Sequence, residues 1–411
     1  MCTFIEEAQC MKINYQITPD LAFSVEELKE LERAKAKEIV FDEDCPETTP
    51  ERARLFSRVN PSKTEQREIA RLFRAEDPIN ITVKNSSHGD EDFREALLVE
   101  YADEKIVIKL AENGFTDEEH LIMWMTIAEK YKGLGYYCPQ FIKALDGTFP
   151  RVNYNGHNCI VYAEEYSKYR SADELIKDKF QESGLMENGY YSFLRDVVLM
   201  NAKVAAERYD FTELPSGYCM FEAFEPKDDV DETTEDALKW KQEADKLPEQ
   251  FREQVERIWS NWLEARNQLR EIYHELPTSV FQADVNDTNV LLDEKGKFQG
   301  VYDFNIGGKE VFINLIFREA PYVSTRGWDA FDTEDYFLNC IKKVLQISSE
   351  IYSFNELEKQ AAPLLYKCIK PLYWYSAELL KKAGNEESKI QSCLDFIEYE
   401  QTREIDFWEG V

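Results

Sequence analysis

The chain has 411 residues, with 80 acidic against 49 basic side chains and a formal net charge of −31, so it is long enough for two or three lobes. Such a surface repels phosphate backbones and anionic lipid, which argues against nucleic acid and membrane surfaces as partners, and it would attract cationic small molecules. Nine scattered cysteines without a C-x-x-C pair, only four histidines, no signal peptide and no apolar run near the ~20 residues of a membrane span suggest free thiols in a cytoplasmic protein without a zinc site.

Residues 1–78 are densely charged, with helical patches at 25–39 and 64–73 broken around Pro46. They carry no recognisable chemistry and read as a helical extension packed on the body. From Ile79 the pattern turns to strands, expected at 79–83, 93–101 and 105–110, the last containing Lys109. A helix is expected over 116–132, opened by a Thr116–Glu119 capping box and stopped by Gly133 and Gly135. Strands at 141–145 and 159–162 follow, and residues 160–166 run from strand into charged sequence. Three strands, a helix and two strands make a small sheet lobe over 79–165.

The remainder, 166–411, reads as mainly helical. Residues 226–247 are rich in charge and suggest a mobile insertion. A long helix is expected over 248–276, with Val255, Ile258, Trp262, Ala265 and Leu269 spaced by three and four, a stripe for core packing in preference to a coiled coil. Further helices are expected over 332–349, 355–383 and 386–408. Asp329, Asp332, Glu334 and Asp335 could meet a cationic substrate, but an acid-rich helix start is the simpler reading.

The most informative stretch is Gln282-Ala283-Asp284-Val285-Asn286-Asp287-Thr288-Asn289, followed by Tyr302-Asp303-Phe304. Residues 290–292 read as a strand, 293–297 as its turn and 298–303 as the return. That hairpin brings Asn289 and Asp303 to one edge, near Asp284. Transfer of a phosphoryl group from ATP needs a carboxylate to orient and deprotonate a hydroxyl, and oxygen ligands for Mg²⁺.

Asp284-x4-Asn289 with Tyr302-Asp303-Phe304 resembles the catalytic and metal-binding loops, here within 281–305, of the aminoglycoside phosphotransferase and choline kinase family. The resemblance implies a two-lobed, protein-kinase-like α+β fold with ATP between an antiparallel-sheet lobe and a helical lobe. It implies Asp284 as catalytic base, Asn289 and Asp303 as Mg²⁺ ligands, and Lys109 on the α- and β-phosphates. Lys109 would pair with a glutamate of the following helix; Glu118, Glu119 and Glu129 compete, and Glu119 is favoured. Ser86 and Ser87 would face phosphate from the loop between the first two strands, and backbone groups of Glu164 and Tyr166 would meet adenine at the hinge. The family usually has His two residues before the catalytic Asp, whereas Gln282 stands here and would support the loop through hydrogen bonds to backbone. No Ala-Pro-Glu end of an activation segment follows Asp303, which favours a small-molecule hydroxyl acceptor: an aminoglycoside, amino alcohol or sugar-like compound. The alternative is a catalytically silent, nucleotide-binding interaction module.

Overall fold

The computed structural model describes residues 63–88, 91–175, 192–216, 232–324 and 336–410. The remainder of the 1–78 extension and the acidic residues Asp329, Asp332, Glu334 and Asp335 lie outside the described residues. The architecture is α+β, as expected from the sequence: an antiparallel sheet first, then a mainly helical part.

Helix α1 (Lys63–Arg71) precedes strands β1 (Asn80–Asn85), β2 (Phe93–Glu100) and β3 (Lys105–Glu112). Helix α2 (Glu118–Gly133), β4 (Phe141–Ile142), β5 (Arg151–Tyr154) and β6 (His157–Glu165) complete this part. The sheet order is β1-β2-β3-β6-β4, with β5 also on β6. Alternation decides its two faces. Leu97, Val99, Ile106, Ile108 and Leu110 point to the back and pack with Ile69, Ala70 and Phe73 of the α1 region. Full burial of each such side chain contributes roughly 1.5–3 kcal/mol. Ala96, Leu98, Val107 and Lys109 occupy the opposite, half-buried face.

Two details differ from expectation here. Helix α2 begins one residue later than the proposed capping box, because Asp117, not Thr116, accepts the His120 N–H at its N-cap; the Thr116 N–H is already bound to Asn113 Oδ1. Strand β5 went unforeseen, although Asn155 and Gly156, both at positive φ (53° and 84°), form the two-residue turn that joins Tyr154 to His157.

The second part holds β7 (Arg170–Ser171), α3 (Ser192–Glu207), α4 (Glu232–Ala244) and α5 (Arg252–Tyr273), then the strands β8 (Thr278–Phe281), β9 (Val290–Leu292), β10 (Phe298–Val301) and β11 (Gly308–Val311). Helices α6 (Phe312–Ser324), α7 (Tyr336–Ser348), α8 (Glu356–Ile369), α9 (Trp374–Ala383) and α10 (Glu387–Thr402) follow. The stripe of α5 is buried inside the molecule, as expected of a core helix. The expected mobile insertion is corrected over 232–244: Ala237, Trp240 and Ala244 share one face of α4 and pack with Phe251, Val255 and residues of α9 and α10. The expected helix over 355–383 is two helices, since Pro371 lacks the N–H needed to continue α8. Among the described residues no helix is long and apolar enough to cross a membrane.

Candidate active site

The site begins with the β9–β10 hairpin. Val290 pairs with Val301, and one step beyond that pair the Tyr302 N–H donates to Asn289 O at 3.1 Å. The strands therefore end with Asn289 opposite Tyr302 and Asp303 one residue further on, so the hairpin brings both site residues to the same end, as the spacing predicted. Three contacts anchor the hairpin to the segment after α2. Tyr137 N–H donates to Gln299 O (2.8 Å), Val301 N–H donates to Tyr137 O (3.0 Å), and Tyr137 bridges Gly300 in parallel.

The loop before the hairpin is fixed from several sides. Asp284 has each carboxylate oxygen held by an amide: Asn286 Nδ2 donates to Oδ1 at 2.6 Å and Asn289 Nδ2 to Oδ2 at 2.8 Å. Asn289 Nδ2 also reaches Asp284 O at 3.0 Å. Burial pushes the Asp284 carboxyl above its ordinary value, and the Asp303 charge adds to the effect; Arg318 and the two amides pull it back. A carboxylate of raised pKa is a stronger base.

Gln282 is fully buried and joins the two functional loops. Its Oε1 accepts the Asp284 N–H at 2.8 Å, while Nε2 donates to Tyr302 O at 3.1 Å and Asp303 O at 2.8 Å. Ala283 and Asp303 both lie at positive φ, 67° and 59°, a region that costs a non-glycine residue roughly 1–2 kcal/mol. The bonds from Gln282 to Asp303 O and from Arg318 Nη2 to Ala283 O hold those two turns in place. Sequence reasoning missed two supports, Arg318 and Tyr131. The Tyr131 hydroxyl, on α2, accepts the Gln282 N–H at 3.0 Å, and its ring meets Phe304 edge-on at 5.7 Å.

Lys109 reaches this constellation from β3. Its Nζ lies 3.0 Å from Asp303 Oδ1 and 2.9 Å from Glu164 Oε1. Burial is the largest influence on the ammonium and lowers its pKa, but Asp303, Glu164 and Tyr162 together outweigh it and hold the pKa well above the usual lysine value. Burial raises the Glu164 carboxyl, opposed chiefly by Lys109. The carboxylates that pair with Lys109 are thus on β6 and the hairpin; the helix glutamate Glu119 is not among them, because the pairing Lys109↔Tyr162 sets Glu164 on the same sheet face two residues further.

The remaining expected residues are placed differently. Ser87 Oγ accepts the Arg94 N–H at 2.9 Å and lies 3.2 Å from Arg94 O, with Ser86 Oγ 3.4 Å from the same carbonyl. Both hydroxyls close their own hairpin. Glu164 pairs with Val107 on one side and Phe141 on the other, and the Tyr166 N–H donates to Lys105 O. These backbone groups are committed to the sheet. Tyr166 lines a cavity of about 410 Å³ with Lys105, Gln140 and Glu165 at the strand ends; Lys109, Asp284, Asn289 and Asp303 do not line it.

The donor set suits a hard divalent cation. Asn289 is buried and uses its amide nitrogen on Asp284, while its Oδ1 accepts from Thr288 Oγ1 at 3.4 Å. Asp303 is a third exposed and engages Lys109 through Oδ1.

No protein-family model matches the chain, and no curated protein matches it in sequence. Solved structures that the chain matches include an amicoumacin kinase in complex with AMP-PNP, Ca²⁺ and Ami, 10% identical, with a TM-score of 0.48 over 85% of this chain and 98% of that one. A microcompartment-associated aminopropanol kinase is 11% identical, with a TM-score of 0.48 over 83% of this chain and 95% of its own. A choline kinase from Cryptosporidium parvum Iowa II is 11% identical, with a TM-score of 0.38 over 79% of this chain and 90% of its own.

Proposed function

We propose that this chain is an ATP-dependent phosphotransferase of protein-kinase-like fold that moves the γ-phosphoryl group to a hydroxyl of a small molecule, an aminoglycoside, amino alcohol or sugar-like compound. The nucleotide would lie between the sheet lobe, 79–165, and the helical lobe, 166–411. One observation carries the reading: the Lys109–Asp303 ion pair, from segments 194 residues apart, and the Asp284–Asn289 hydrogen bond are joined through Gln282, which bonds to the backbone of both Asp284 and Asp303. Packing alone gives no reason for two loops at positive φ to present a half-buried carboxylate, a buried amide and a carboxylate a third exposed together.

In this reading Asp284 orients the acceptor hydroxyl and takes its proton at a carboxylate oxygen, with Asn286 and Asn289 fixing the carboxylate's direction. Lys109 places its charge against the α- and β-phosphates. Mg²⁺, held by Asn289 and Asp303, supplies charge neutralisation on the phosphates. Most of the acceleration comes from positioning and electrostatics. Gln282 satisfies donor and acceptor needs of both loops at once, so its amide gives no ground for preferring a silent nucleotide-binding module. Among the described residues the free thiols Cys138, Cys159 and Cys393 support a cytoplasmic location.

Calorimetric titration with Mg·ATP tests the metal assignment. Asp303→Asn should keep the fold, checked by its melting curve, and lose at least about tenfold in Mg·ATP affinity, the scale of one charge-assisted contact. Unchanged affinity in that variant would remove Asp303 from the metal site.

A further inference from the structure

Of the two carboxylates on Lys109, Glu164 is the more rigidly held. Its side chain is 6% exposed, against 32% for Asp303, and its strand is fixed by Val107 on one flank and Phe141 on the other. Its neighbours across that face of the sheet, Val107 and Leu98, are half-buried and apolar, so a carboxylate there is unfavourable unless paired. Asp303 belongs to a loop and, on the function proposed above, must turn toward metal when nucleotide binds. Lys109 would then keep one fixed partner.

We propose that Glu164 is the positioning residue for Lys109: a counter-ion built into the sheet that aims the ammonium at the phosphates of bound nucleotide. The inference rests on the kinase reading and goes beyond it, since it removes the following helix from this task. Helix α2 instead meets the catalytic loop through Tyr131. Movement of α2 would therefore act on the Gln282 loop and leave the aim of Lys109 unchanged.

A double-mutant cycle on the full chain, read by calorimetry with Mg·ATP, separates positioning from simple structural support. Glu164→Gln should weaken Mg·ATP binding about tenfold or more, corresponding to one unit of lost charge pairing, and raise the KM for ATP while leaving that for the acceptor unchanged. In a Lys109→Met background the same substitution should change affinity less than about twofold, because its effect passes through Lys109. Glu119→Gln should bind as wild type. Should Glu164→Gln melt below the assay temperature, Glu164→Asp carries the same comparison, with the charge kept but one methylene shorter. A Glu164 variant that binds Mg·ATP as wild type, or loses the same affinity with and without Lys109, overturns the inference while wild-type binding leaves the kinase reading standing. Wild-type protein that binds no Mg·ATP overturns both.

Discussion

Gln282 shows what a single buried amide does here. It sits between two loops and has both a donor and an acceptor, so it can accept the Asp284 N–H and donate to the Tyr302 and Asp303 carbonyls together. Gln282→Glu keeps the size but loses the donor and sets a carboxylate against two carbonyl oxygens. We expect it to lower stability by roughly 3 kcal/mol, the scale of burying unsatisfied polar groups, and to depress turnover with it. Gln282→His retains one donor and one acceptor and should stay within about 1 kcal/mol of wild type. Urea denaturation of both variants checks the order; equal stability of the Glu and wild-type proteins would contradict it. Gln282's supporting role was legible in the sequence from its place before Asp284. Glu164's ion pair was not, since it depends on strand register, which sets Lys109 opposite Tyr162 and leaves Glu164 on the same face. Ser86 and Ser87 misled for a related reason: a hydroxyl beside a turn binds its own backbone before it meets a ligand.

At the scale of elements, the β9–β10 hairpin carries the site, and Gly300 shows how tightly it is docked. A Cβ at Gly300 would lie 1.8 Å from Tyr137 O, so an alanine must separate the hairpin from Tyr137 and break the two bonds that join them. Gly300→Ala should cost about 2 kcal/mol or more, the combined scale of overpacking and lost hydrogen bonds, seen as a lower denaturation midpoint. Because Asp303 lies three residues on, Mg·ATP affinity should fall as well; a variant with wild-type stability would show that the docking is loose. The hairpin itself was readable from its apolar runs and the turn at 293–297, and the strands end within two residues of expectation. Helix α4 was obscured because charge dominates its composition, while the three residues that bury it, Ala237, Trp240 and Ala244, are few and widely spaced. Strand β5 was overlooked because it is four residues long, although its Asn-Gly turn was in plain view.

For the whole molecule, the order of periodicities, strands first and helices after, made the class of architecture legible. It did not give the junctions, which depend on contacts between distant segments such as Tyr131 with Gln282 and Lys109 with Asp303. The strongly negative net charge bears on solubility and on the sign of an attracted ligand, and does not identify the acceptor. The central claim is that the cluster around Asp284 transfers phosphoryl groups. Its most direct test is transfer of labelled γ-phosphate from ATP to a panel of aminoglycosides, amino alcohols and sugars, by wild-type protein and by Asp284→Asn, both first shown to be folded and to bind Mg·ATP. The account predicts transfer to at least one acceptor by wild type, reduced about 10²-fold or more in Asp284→Asn, the scale of a positioned general base. Wild-type protein that binds Mg·ATP and phosphorylates no acceptor, or an Asp284→Asn variant that turns over as wild type does, would contradict it.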